Sequence, residues 1–218
     1  MMKSKAIPWW GWAAWILVMV LTILAYPHLP AEVPTHFNLA GQPDRFRPRL
    51  VAVLIQPGAM LLVILLWHVL WRIDPKKKNY REFWPTYRYI GGITVVFFGL
   101  IALWSLASAL NIGIPLKFVP AMIGLLILLY SNVLPRLQPN WRIGIRTAWT
   151  LSSERSWLRT HRLAGNLGIP TGLLIIVLAW VLPSSMGNWA VLGLILLWLL
   201  IAVVASYFYA KPPTISDD

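Results

Sequence analysis

The sequence predicts an all-α membrane protein with six transmembrane helices, and three observations lead to this fold class. Hydrophobic residues make up 58% of the 218 residues and charged residues only 12%, against roughly 45–50% and 25% in soluble proteins. The apolar residues form long blocks, several of which reach the ~20 residues that a helix needs to cross a bilayer. The basic residues fall between these blocks. The composition therefore excludes an ordinary soluble domain.

Six apolar segments are long enough to span a membrane, and several begin or end at a proline or a tryptophan. Proline suits the first turn of a helix, and tryptophan suits the membrane interface. The expected spans are residues 7–26, 51–71, 89–110, 117–134, 167–183 and 189–209. The first run is too long for the core of a signal peptide, so we expect it to be retained. Residues 1–218 then form a single membrane domain.

The distribution of basic residues predicts the orientation of the chain. Fifteen of the nineteen Lys and Arg residues lie at the two termini and in the loops after the second and fourth spans. The positive-inside rule puts both termini and segment 135–166 on the cytoplasmic side of the membrane, with loop 26–50 on the outer side. The basic loops would also contact anionic lipid, so the net charge of +12 does not require nucleic acid as a partner.

The spans themselves carry few groups that could do chemistry. All seven acidic residues lie outside them, whereas ion-coupled transporters and intramembrane proteases usually need carboxylates within the membrane. His68 is expected to be a neutral histidine bonded to a neighbouring helix, with proton transfer as the alternative. The stretch Gln56-Pro57-Gly58 would bend the second helix, and its glutamine could satisfy the freed carbonyl. The chain has no cysteine.

The first outer loop, "YPHLPAEVPTHFNLAGQPDRFRPRL" at residues 26–50, contains five prolines that exclude a long helix. Within it "NLAGQPD" predicts a turn, because Gly41 can adopt a positive φ and Pro43-Asp44 favours a chain reversal. Two histidines and two carboxylates could bind zinc, but their spacing is not that of a metal site. We therefore expect a structured outer cap and no metal.

The segment "NWRIGIRTAWTLSSERSWLRTHRLAGN", residues 140–166, is unusually polar for its place between two spans. Serine and threonine at residues 150–153 could cap a helix, and Glu154 suits the positive end of the helix dipole. We predict a basic amphipathic helix that ends at Gly165 and lies at the inner membrane surface between the fourth and fifth spans. His161 shares one face of it with Trp157.

This segment resembles the signature of the SdpI family of bacterial membrane proteins. The matching residues are Asn140, Gly144, Arg146, Thr147, Trp149, Thr150, Leu151, Glu154 and Trp157. The chain departs from the family at Ala148, where proline is usual. The outer loop resembles the DUF1648 module that often begins such proteins. Its matching residues are Pro34, His36, Phe37, Asn38, Gly41 and Asp44.

The resemblance implies immunity and signalling. The founding member of the family protects a cell from its own secreted, membrane-active peptide toxin, and it recruits a small winged-helix repressor to the membrane. The candidate partner-binding residues are then Asn140, Gly144, Arg146, Thr147, Trp149, Thr150, Glu154, Trp157 and His161 in this segment, and Pro34, His36, Asn38, Gly41 and Asp44 in the outer loop. A small transporter or channel is the alternative, although it needs a polar pathway. An enzyme is disfavoured, because Glu154 and His161 lie about two helical turns apart and no nucleophile accompanies them. We expect no cofactor.

Overall fold

A computed structural model describes residues 5–38 and 42–211, and six of its helices are long and apolar enough to cross a membrane. Its elements are α1 (Trp9–Ala25), β1 (Glu32–Phe37), β2 (Pro43–Pro48), α2 (Arg49–Leu70), α3 (Tyr80–Ala109), α4 (Phe118–Ser131), α5 (Ala148–Ser152), α6 (Glu154–Val181) and α7 (Ser184–Ala210). Leucines such as Leu196 and Leu200 are more than half exposed on the bundle, which suits contact with lipid. The predicted six-helix class is confirmed.

The six long helices form two groups. In the amino-terminal group, α3 packs against both α1 and α2. In the carboxy-terminal group, α6 packs against both α4 and α7. Glycines allow the closest of these approaches, since a Cβ on Gly172 of α6 would lie 2.6 Å from the carbonyl oxygen of Gly124 on α4. The two groups meet where α3 contacts α4, and there Thr94 and Tyr130 share a hydrogen bond.

Successive long helices run in opposite directions, so the connections gather at two ends of the bundle. Residues 71–79 and 132–153 lie at one end, which we call the motif end. The strands β1 and β2 lie at the other, which we call the hairpin end. The largest apolar core extends from the motif end and takes residues from both groups, including Met60, Tyr87 and Trp157. Nearer the hairpin end each group has a smaller core of its own.

Two helices begin earlier than the sequence predicted. Helix α3 begins at Tyr80 rather than at residue 89, and α6 begins at Glu154 and continues without a break to Val181. The prediction of a separate interfacial helix ending at Gly165 is therefore wrong. Gly165 ends no helix, and a Cβ there would lie 2.8 Å from the backbone oxygen of Ser131. Its small size lets α6 approach the end of α4.

The outer loop forms an antiparallel β-hairpin in which Val33 pairs with Arg47 and Pro34 with Phe46. The ring nitrogen Nδ1 of His36 lies 2.6 Å from a carboxylate oxygen of Asp44, so the two strands are also joined by side chains. Val33 is buried in a core with residues of α2 and α3. The hairpin is thus a structured cap on the helix ends. Gly41 and the middle of the predicted turn lie outside the described residues.

One polar feature of α2 differs from expectation, whereas a bond from Gln56 to the carbonyl freed by Pro57 stays a prediction. His68 bonds through Nδ1 to the carbonyl oxygen of Ile64, 2.8 Å away in the same helix, and not to a neighbouring helix. At the Gln56-Pro57 step, the indole N–H of Trp15 on α1 donates to the carbonyl oxygen of Pro57 over 3.0 Å. That bond joins α1 to α2, while Gln56 faces a cavity described below.

Candidate functional site: the motif segment

Residues 137–153, which we call the motif segment, cross the motif end between α4 and α6. Asn140 organises the first part of it and is fully buried. Its side-chain oxygen accepts hydrogen bonds from the backbone N–H groups of Arg142 at 2.9 Å and Ile143 at 2.8 Å. Its amide donates to the carbonyl oxygen of Gln138. One side chain therefore satisfies a turn whose own backbone cannot do so.

Asp74 ties the motif segment to the amino-terminal group. One carboxylate oxygen accepts from the Tyr80 hydroxyl at 2.8 Å and from the Trp141 backbone N–H at 2.9 Å. The other accepts from the Lys76 backbone N–H at 2.7 Å. Asp74 is only 2% exposed. A buried carboxylate needs several donors to replace its lost hydration, and these three provide them.

His161 ties the motif segment to the carboxy-terminal group. Its Nε2 accepts from the Ile145 backbone N–H at 2.9 Å, and its Nδ1 lies 2.8 Å from the carbonyl oxygen of Trp157. A nitrogen that accepts from an N–H carries no proton, so the ring is neutral and Nδ1 is the donor. The indole of Trp157 stacks on this ring and donates to the carbonyl oxygen of Leu137 at 2.7 Å. Both side chains are fully buried.

Gly144 is required at its position for two independent reasons. Its φ is +105°, a backbone conformation that side chains with a Cβ rarely adopt. In addition, a Cβ built there would lie 2.4 Å from Nε2 of His161. The glycine thus allows the chain to turn directly against the imidazole that accepts the next backbone N–H.

The short helix α5 is fixed by a capping box and by α7. The Thr147 side chain accepts from the Thr150 backbone N–H, and the Thr150 side chain accepts from the Thr147 backbone N–H. The Thr147 hydroxyl also lies 2.9 Å from the hydroxyl of Ser206 on α7. Ala148 is the first residue of the helix, a position that proline suits well. Here the capping box keeps the turn in place with alanine instead.

Three residues of the motif segment and the start of α6 point outward. Arg146 is exposed, and among the described residues its guanidinium makes one hydrogen bond, to the carbonyl oxygen of Trp141 at 2.8 Å. Trp149 is 38% exposed and packs edge-on against Tyr207. Glu154 is exposed in the first turn of α6. It lies beside a polar cleft of about 370 Å³ that Glu82 and Lys76 also line.

The basic side chains of the motif end have no carboxylate partner within the described residues. The one ion pair among those residues joins His36 and Asp44 at the hairpin end. Those at the motif end include Arg72, Lys76, Lys77, Lys78, Arg81, Arg136, Arg142, Arg146, Arg155, Arg159 and Arg162. The motif end is therefore a positively charged surface available to an anionic partner.

The structure divides the predicted partner-binding residues into two classes. Four of them are buried and hold the segment from inside: Asn140, Thr150, Trp157 and His161. Gly144, Arg146, Trp149 and Glu154 reach the surface, and Thr147 is partly covered. The predicted outer residues Pro34, His36, Asn38 and Asp44 lie together at the opposite end, in the hairpin. That any of these residues contacts a partner stays a prediction.

Asp74, Tyr80 and Ser206 complete the site but were missed in the sequence. For Asp74 a signal was present, because an aspartate before Pro75 is typical of a turn in which the carboxylate accepts a backbone N–H two residues on. The Lys76 bond is of this kind. For Ser206 no such signal was present. A serine in an apolar helix usually forms a hydrogen bond to a neighbouring helix, and its position does not point to a contact with a loop.

Comparison with known proteins connects both ends of the molecule to known families. Residues 136–210 match the family described as the SdpI/YfhL protein family, and residues 13–61 match the domain of unknown function DUF1648. The first match begins at the motif segment. The second covers most of α1, the hairpin and the first half of α2.

Two proteins of Bacillus subtilis (strain 168) are similar to the chain. The immunity protein SdpI is 25% identical over 199 residues, which cover 89% of this chain and 91% of that protein. The uncharacterized membrane protein YbgB is 34% identical over 56 residues, which cover 26% of this chain and 59% of that protein. No solved structure matches. Both sequence resemblances are confirmed: the carboxy-terminal part of the chain is similar to the SdpI family of membrane proteins, and the amino-terminal part is similar to the DUF1648 module.

Proposed function

We propose that this protein is an immunity protein that protects a bacterial cell against a membrane-active peptide toxin. The observation that carries the proposal is the similarity to immunity protein SdpI, which covers nearly the whole of both chains and includes the hairpin and the motif segment. The six helices supply the multi-pass membrane setting. In the orientation that the charge distribution favours, the hairpin end faces outward and is the part that a secreted toxin reaches first.

The motif end is the proposed regulator-binding surface, on which a small winged-helix repressor would be held away from DNA. Three features support this role. Its backbone is fixed by buried hydrogen bonds from Asn140, Asp74 and His161. Its outward side chains include Arg146, whose planar fork has donors left for a carboxylate. Its basic residues are not neutralised within the described chain. An acidic patch on the regulator, together with anionic lipid nearby, would complement this surface.

A transporter or a catalyst is less well supported. The core that joins the two helix groups at the motif end is filled by Tyr80, Tyr87 and Trp157, so no polar pathway runs through this part of the described bundle. His161 is buried, and both of its ring nitrogens already bond to backbone groups. It therefore has no free nitrogen with which to act on a substrate together with Glu154.

The experiment that tests immunity is deletion of the gene in the organism that carries it. Cells of the deletion strain should be killed by spent medium from the parent strain, and a plasmid copy of the chain should restore survival. A variant with a truncation after residue 131 provides the control for plasmid effects, because it lacks the motif segment. Equal survival of parent and deletion strains in that medium would contradict the proposal.

A further inference from the structure

A cavity of about 410 Å³ lies between the two helix groups at the hairpin end. It occupies the region where the groups have separate cores, and strand β1 covers it. Helices α2, α3, α4 and α7 supply the other walls. The volume lies within the range of about 300–1,000 Å³ that is typical of ligand pockets. It is thus large enough for one apolar chain or a few side chains.

The lining of the cavity is polar at one end and apolar at the other. The polar residues near the hairpin include Asn38, directly after β1, and Ser105 on α3. Ile101 and Ile195, which lie further along α3 and α7 towards the motif end, line the deep part. No lysine or arginine is among the lining residues. The cavity therefore matches a molecule with a neutral polar end and an apolar tail.

Trp104 is the most informative residue of this lining. It is 8% exposed, and its indole N–H has no hydrogen-bond partner among the described residues. Its ring packs edge-on against Phe37 of the hairpin, with the ring centroids 4.8 Å apart. A buried donor without an acceptor is costly and is rarely left in that state. An acceptor atom supplied by a ligand in the cavity would satisfy it.

We propose that the cavity binds one acyl chain of a neutral or zwitterionic membrane lipid, with an ester carbonyl oxygen accepting the hydrogen bond of Trp104. An acyl chain needs no hydrogen bonds in the deep part of the cavity, where the lining offers none. A peptide segment would bring backbone N–H and C=O groups that must be satisfied along its whole length. Lipid is also the amphiphile present at highest concentration around the spans. This binding is independent of the proposed immunity.

The test measures lipid retained by the purified protein in native mass spectra. The wild-type protein should carry one lipid. Ile195→Trp, which fills the cavity, should lose it, while Leu196→Trp on the exposed face of the same helix should keep it. Trp104→Phe keeps an aromatic ring against Phe37 but removes the donor, so retention should fall about fivefold, as for one ordinary hydrogen bond. A thermal unfolding curve of each variant shows that it is folded.

A second measurement locates the lipid. Phosphatidylcholine with a diazirine near the end of one acyl chain should label Ile101 and its neighbours in the cavity more strongly than Leu200 on the outer surface. Three results would overturn the proposal: even labelling of the two surfaces, equal lipid retention in the wild type and Ile195→Trp, or recovery of a peptide instead of a lipid from the wild-type protein.

Discussion

At the scale of single residues, the motif segment uses buried polar side chains to satisfy backbone groups of an irregular chain. Asn140, Asp74 and His161 each accept hydrogen bonds from loop N–H groups that have no helix or strand to bond with. A loop covered by helix ends cannot rely on water for these bonds. This explains the residue types, because each side chain must offer an acceptor atom. An uncharged acceptor suits a buried position, and a charged one such as Asp74 needs several donors around it.

The first prediction concerns Gly144. Gly144→Ala should destabilise the protein by about 2–3 kcal/mol for two reasons. Alanine disfavours the positive φ of this position, and its methyl group would overlap the imidazole of His161. The thermal unfolding midpoint in detergent measures this loss. Gly113→Ala is the matched control, since Gly113 also lies in a connection and has no atom within 4 Å of its Cβ position. Equal midpoints for both variants would show that the fit against His161 is not tight.

The second prediction concerns Arg146. Its one bond to the Trp141 carbonyl leaves most of the guanidinium facing outward, so Arg146→Lys should preserve stability within ~0.5 kcal/mol. Loss of the planar fork should nevertheless lower survival in toxin, or induction of the immunity genes, about tenfold. Arg159→Lys is the control, because Arg159 is exposed on α6 and its cation faces the ring of Tyr209. The prediction fails if both variants retain normal activity at normal membrane levels.

The residues of the site were partly readable from the sequence. The family pattern singled out Asn140, Gly144 and Thr147, and residue type alone predicted a cap at residues 150–153, where the Ser153 side chain accepts from the Ser156 backbone N–H at the start of α6. The acceptor role of His161 could not be predicted, because its partner is the backbone of Ile145 and that contact depends on how α6 packs against the loop. Trp157 was expected at the membrane surface but is buried, since its indole bonds to Leu137 inside the protein.

At the scale of elements, α3 and α6 differ from the other spans in beginning well before their apolar stretches. Residues 80–88 and 154–165 are polar enough to end a predicted span, yet they are helical. A hydropathy pattern shows which residues face lipid, whereas Tyr80, Tyr87 and Trp157 face the protein interior. Hydropathy alone therefore cannot locate the first residue of a helix whose end leaves the lipid and is covered by other parts of the protein.

The third prediction concerns the hairpin as a docked element. In purified protein, trypsin should cut slowly after Arg45, because this residue lies in a paired strand. Val33→Asp should speed this cutting strongly, since it places a charge in the small core that holds the hairpin against α2 and α3. Glu32→Ala, at the exposed neighbouring position, should not. Fast cutting of the wild-type hairpin would show that the cap is not held in place.

At the scale of the whole molecule, two helix groups are joined firmly at one end and less closely at the other. The motif segment bonds to Asp74 of the first group and to His161 and Ser206 of the second. At the hairpin end the groups are separated by the cavity. If the distance between the two helix groups changed at the hairpin end, the motif segment would be affected, because it contacts both groups. The number of spans was predictable from hydropathy, but this division was not, because it depends on which helix faces meet.

The last prediction concerns the orientation of the whole chain. The protein contains no cysteine, so single cysteines can report accessibility without background. Glu32→Cys on the hairpin and Arg155→Cys at the start of α6 replace exposed residues at opposite ends. A membrane-impermeant maleimide should label Glu32→Cys in intact cells, and it should label Arg155→Cys only after the membrane is opened. The reason is that the basic residues concentrate at the motif end, and transfer of so many cationic groups across the membrane is disfavoured. Labelling of Arg155→Cys in intact cells would invert the orientation and remove the proposed repressor surface from the cytoplasm.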